Sequence, residues 1–156
     1  MINHAWSVLC NEAFIDKDSN RVSLSILEAL TISGEVVEPA PGTRVLVPTR
    51  IVLVSLWYCE AGGSDFEFRV TTIGPRGETD HHPVKVTAFP ADKTRFRTKV
   101  NFPGLLFDGV GTYRYQVARA IGDEWKTEAE IPLHVEFGPA QFVASGDAVM
   151  AAPPQA

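Results

Sequence analysis

Apolar and polar residues alternate along most of this chain, and no stretch sustains a repeat near 3.6 residues, so the pattern predicts strands throughout. His4 to Cys10 reads as a first strand, and Ala13 to Ile15 carries it into the turn Asp16-Lys17-Asp18-Ser19-Asn20. Arg21 to Ile26 returns, with Val22, Leu24 and Ile26 inward. Keeping that parity turns Glu28 inward ahead of Leu30 and Ile32. Either a bulge near Leu27 flips the register or a carboxylate enters the rim of the core. Gly34 to Pro48, with three prolines, is a long connection that crosses between sheets. Ile51 to Cys59 is apolar on both faces, as a central, covered strand should be. Phe66, Phe68, Val70 and Thr72 alternate with Glu67, Arg69 and Thr71 after a Gly62-Gly63-Ser64-Asp65 turn. A turn at Pro75-Arg76-Gly77 leads to a short strand, Val84 to Phe89, and Arg95 to Phe102 then alternates cleanly.

The most informative stretch is Gly109-Val110-Gly111-Thr112-Tyr113-Arg114-Tyr115-Gln116-Val117. It reads as a glycine corner that launches a strand, with a tyrosine just inside. Its partner, Lys126 to Phe137, follows a turn at Gly122-Asp123-Glu124-Trp125. A corner tyrosine before a closing hairpin is a mark of the immunoglobulin-like antiparallel β-sandwich, here of about seven to nine strands. In the last strand Ala129, Ile131, Leu133, Val135 and Phe137 are expected inward, and Glu128, Glu130, His134 and Glu136 outward. Pro132 suits an edge, because it cannot donate to a ladder. The pattern dissolves after Gly138, which gives one domain over 1–138 and a mobile tail over 139–156.

Trp6-Ser7-Val8-Leu9-Cys10 with Asp16, Asn20, Ser23 and Leu24 resembles the opening of a family of small bacterial proteins of unknown function. Gly111, Tyr113, Ile131-Pro132-Leu133 and Val135 resemble its closing hairpin. The two stretches span the first and last thirds of the chain. The resemblance implies an immunoglobulin-like sandwich and a bacterial or phage-like origin, and it brings no catalytic residues.

The 156 residues carry a net charge of −5, which argues against nucleic acid as a partner. The opening lacks the basic and apolar segments of a secretory signal, and no apolar run is long enough for a membrane helix. A cytoplasmic protein with reduced Cys10 and Cys59 is the expectation, and a disulfide between the sheets is its rival.

Candidate chemistry is sparse. Asp80-His81-His82 is the most metal-like cluster, although neighbouring residues on a strand face opposite ways and chelate one ion only from a loop. Asp16, Asp18 and Asn20 mimic the start of a calcium loop, but the glycine and the terminal glutamate that calcium loops need are missing, so a polar turn is the better reading. Cys10, Cys59 and Ser55 sit in apolar strands, where they pack rather than react. No glycine-rich phosphate loop is present. Arg95, Arg97 and Lys99 form a basic stripe that either docks an acidic partner or faces Glu128 and Glu130 across a ladder. Trp57 and Tyr58 are expected in the core. Trp125, at a hairpin tip, either folds back on its strands or contacts a partner. The function expected is a non-catalytic protein-interaction or structural module with no cofactor, one that pairs with another protein or with itself through the edge near Pro132. The alternative is a small-molecule or metal-binding protein, or a hydrolase, built on Asp80, His81 and His82.

Overall fold

The computed structural model describes residues 1–16, 18–19, 21–33, 36–60 and 64–138, and every regular element among them is a strand. The twelve strands are β1 (Ile2–Ile15), β2 (Val22–Ile26), β3 (Ala29–Ile32), β4 (Val45–Val47), β5 (Ile51–Cys59), β6 (Asp65–Ile73), β7 (Thr79–His81), β8 (Lys85–Ala88), β9 (Arg95–Phe102), β10 (Leu105–Phe107), β11 (Gly111–Ile121) and β12 (Glu124–Phe137). The count exceeds seven to nine because β3, β4, β7, β8 and β10 are pieces of three or four residues. The polar triplet Thr79-Asp80-His81, expected in a loop, pairs with β6 as β7. The expected tail and the Gly62-Gly63 turn lie outside the described residues.

Two sheets face each other. One runs β2-β1-β5-β9, and the other runs β3-β12-β11-β6-β7 with β8 also on β6. The pair β4 and β10 forms a third, two-stranded sheet. Side-chain alternation gives each large sheet one apolar face, and the two faces close on a shared core. Leu9, Leu53 and Trp57 come from the first sheet and Phe68, Val70, Tyr115, Val117 and Leu133 from the second. Trp57 is fully buried, its ring centroid 4.9 Å from Phe66 and 5.7 Å from Phe68, and its Nε1 donates to Thr98 Oγ1 at 2.9 Å. Burying such an aromatic stabilises by roughly 4–6 kcal/mol of transfer free energy.

The outer face of the first sheet is also covered. Val52, Val54 and Cys10 are buried there under Trp6, Val8, Ala13 and Leu24. Ala13 and Leu24 form one rung of the β1–β2 hairpin, which passes a bulge at Asn11 and lies back on the sheet. This explains why Ile51 to Cys59 is apolar on both faces. Tyr58, expected in the core, is 39% exposed on that face, and Ile26, expected inward, is 60% exposed. Cys10 pairs with Val52, while Cys59 ends the same strand roughly 20 Å away at about 3.3 Å per residue, which rules out the disulfide.

The Leu27–Glu28 step is where the chain leaves the first sheet, which holds β2, for the second, which holds β3. The parity of β2 therefore ends at Ile26, and Glu28 is exposed rather than a buried carboxylate. Its carbonyl accepts the His134 N–H at 3.0 Å, and β3 then runs parallel to the end of β12. The expected connection between the sheets holds a strand of its own, β4, which joins β10 before the chain enters β5 of the first sheet.

Two open flanks result. On one, among the described residues, β1 meets β2 from Cys10 onward and β12 meets β3 from His134 onward. On the other, β9 ends the first sheet opposite β6 and β8.

Candidate functional site

The basic stripe sits on the second of these flanks. Arg95, Arg97 and Lys99 pair with Tyr58, Leu56 and Val54 of β5 and share the outer face of the first sheet. They do not face Glu128 and Glu130, which lie in the other sheet and have their own partners. Glu130 reaches Gln116 Nε2 at 2.7 Å and Arg114 at 3.5 Å. Glu128 was expected outward. A bulge beside Val117 and Ala118 turns it inward, where its Oε1 lies 2.9 Å from Arg119 and its Oε2 3.3 Å from Lys126.

β9 is a regular edge. Its eight-residue ladder with β5 has no register shift. Thr94 gives its carbonyl to the Cys59 N–H at 3.0 Å, so alternation turns the peptide groups of Arg95, Lys99 and Asn101 toward the open side. Between β9 and β8 runs a groove of about 250 Å³. Among the described residues its lining holds Lys85, Arg97 and Lys99 with Thr87 and Thr98, and no carboxylate. The Lys99 ammonium also reaches the Ala13 carbonyl at 3.4 Å and ties the β1–β2 hairpin to the sheet. No known protein-family model matches this chain, and no curated protein matches it.

The other candidates separate rather than converge. His81 and His82 bond Thr71 and Thr72, adjacent residues on opposite faces of β6, at 3.1 and 2.8 Å. The two imidazoles therefore do not share an ion, and among the described residues no three His, Cys, Asp or Glu side chains are placed to hold a metal. Burial pushes His82 below the ordinary histidine value, against Asp80, whose Oδ2 lies 3.9 Å away. The His82 ring meets Phe102 edge-on at 4.7 Å, as a packed core residue does.

The Asp16 turn closes on itself. Asp16 Oδ1 accepts the Asp18 N–H at 2.9 Å and Oδ2 the Ser19 hydroxyl at 2.7 Å. The Ser19 and Asp18 bonds hold that carboxyl below its usual range.

Trp125 folds back. It stands beside Ala120 on the outer face of the second sheet, half-buried, with the Arg69 guanidinium 4.5 Å above its ring. Cys10 is buried, which raises its thiol pKa, the reverse of what a nucleophile needs. Ser55 shares its hydroxyl with Ser7 at 2.7 Å, and Ser7 with His4 Nε2 at 2.7 Å. This trio satisfies buried polar groups between the sheets beside Trp57. Burial holds His4 below the ordinary value, opposed by Glu128.

Tyr113 forms the corner the sequence suggests. Its hydroxyl accepts the Asp108 N–H at 2.9 Å and faces Asp108 Oδ1 at 2.7 Å and the Gly109 carbonyl at 2.9 Å. Gly74 lies against it, and a Cβ there would clash with the Asp108 carboxylate. Lys85 and Arg69, which complete the basic groove and the tryptophan stack, carry no local sequence signal. Only strand pairing brings them to their partners.

Proposed function

We propose that this chain is a non-catalytic protein-interaction module of the immunoglobulin-like class, and that it binds an acidic, extended segment of another protein along β9. One observation carries the reading: a regular sheet edge, open among the described residues, whose strand carries Arg95, Arg97 and Lys99 and whose groove adds Lys85 from β8, on a protein whose net charge is −5. An extended segment that adds to an edge bonds through its main chain, while alternate side chains give specificity. Acidic side chains would meet the cations of this edge, and like-charged edges would be repelled. The class assignment is supported by the Tyr113 corner, by β3 running parallel to β12, and by the resemblance to small bacterial proteins. Two buried cysteines that are not joined in a disulfide suit a reducing cytoplasm. Self-pairing through β12 is the weaker interaction reading, because Pro132 lies in the middle of its open edge.

Selection from a random peptide display library tests the proposal. The wild-type protein should enrich acidic sequences that alternate with β-forming residues, and Arg95→Glu combined with Lys99→Glu should abolish that enrichment. Enrichment of neutral or basic peptides, or of peptides that bind the double variant equally, would overturn it.

A further inference from the structure

The opposite flank holds a cleft of about 390 Å³, within the size range of small-molecule sites. Its origin is topological. Among the described residues the first half of β1 and the first half of β12 each lack a neighbour on this side, and the chain passes from β2 of one sheet to β3 of the other at Leu27–Glu28. Leu9, Leu27 and Ile131 form apolar walls, and Ile26, 60% exposed, forms a lip. The polar end is made by Glu28 and His134, held together by the His134 N–H bond to the Glu28 carbonyl. Glu136 Oε2 lies 3.9 Å from the His134 Nε2, just outside the lining. Among the described residues no lysine or arginine lines the cleft.

We infer that this cleft binds a small apolar molecule carrying an ammonium group, its apolar body between the sheet edges and its cation at Glu28. The charge of the polar end selects the cation, since an anion would meet Glu28 with no lysine or arginine in the lining to offset it. The apolar walls supply most of the affinity, and the exposed carboxylate adds a modest preference, as surface ion pairs do. The site is independent of β9, which lies on the other flank.

Titration of the intact protein with phenylbutylammonium, phenylbutanol and phenylbutyrate, followed by methyl and amide NMR, tests the inference. The expected result is saturable shifts at Leu9, Leu27 and Ile131, with the ammonium binding about threefold tighter than the alcohol and the carboxylate weakest. Glu28→Gln should bring ammonium and alcohol to equal affinity. Ile26→Arg should weaken the ammonium further. Both side chains are exposed, so an unchanged amide spectrum elsewhere confirms that the fold persists. Equal affinity for all three probes in the wild-type protein, shifts away from the cleft, no saturable shift, or an unchanged ranking in Glu28→Gln would each overturn it.

Discussion

The two flanks of the sandwich arise in the same way, where the sheets end, yet they differ in backbone and in charge. On the β1 and β12 side the edges are interrupted. β1 shifts register between His4 and Trp6, and β12 carries Pro132 and the bulge beside Ala118. The β12 ladder passes through Pro132 unbroken, because even-numbered residues there turn their peptide groups outward, as the His134 N–H bond to Glu28 shows. The missing donor therefore falls on the open edge and blocks an added strand. On the β9 side no proline or register shift interrupts the ladder, and only charge guards the edge. An interrupted edge leaves a cleft for a small body. A regular edge leaves a template that only an oppositely charged strand can use.

Substitutions can break or sharpen this contrast, and the largest effect is expected at Glu128. Its side chain is 9% exposed and neutralises Arg119 between the sheets. Glu128→Ala leaves that guanidinium buried and unpaired, and urea unfolding should show a loss of about 3–5 kcal/mol. Adding Arg119→Met should recover most of it. If Glu128→Ala alone is neutral, the inward turn at the bulge is wrong. Tyr113→Phe comes next. It strips Asp108 of its hydroxyl partner and should cost about 1–3 kcal/mol while leaving binding at both flanks unchanged.

The two half-buried histidines, one near each flank, give a smaller effect with a defined sign. His4 and His82 both have folded pKa values below the unfolded value of about 6.5, so the unfolded chain takes up protons first as the pH falls. Their contribution is complete above about pH 6.5 and declines as the pH falls below it. His4→Gln or His82→Gln should flatten that decline in melting temperature against pH. An unchanged slope in both variants would contradict the burial argument. Trp125→Ala should be the mildest, within about 1 kcal/mol, because the ring mainly stacks under Arg69 on a sheet face away from both flanks. Loss of peptide binding in that variant would move the contact surface to the second sheet.

Much of this fold is legible in the sequence, because period-two alternation reports which face of a strand is buried. The Arg95 to Phe102 strand follows from it, while the central strand shows as a run that is apolar on both faces and the tyrosine corner as a glycine-flanked tyrosine before the closing hairpin. What the pattern missed has specific causes. The inward turn of Glu128 depends on a bulge that no single residue announces. Glu28 is exposed because a strand ends and the chain changes sheets, and alternation cannot reveal which sheet a strand joins. β7 was missed because three polar residues carry no apolar period. The basic stripe was visible, but its surroundings were not, since Lys85 reaches the groove only through the pairing of β8 with β6. The cleft is less legible still, because its walls come from segments more than a hundred residues apart, such as Leu9 and Ile131.

The most direct test of the β9 reading is amide hydrogen exchange, read by NMR, in the presence of a peptide that alternates glutamate with valine and threonine. Saturable, salt-sensitive binding is expected, with new protection at the Arg95, Lys99 and Asn101 amides and none along β12. The Arg95→Glu, Lys99→Glu double variant should show neither the binding nor the protection. Protection that appears on β12 instead, or binding that survives the charge reversal, would contradict the account.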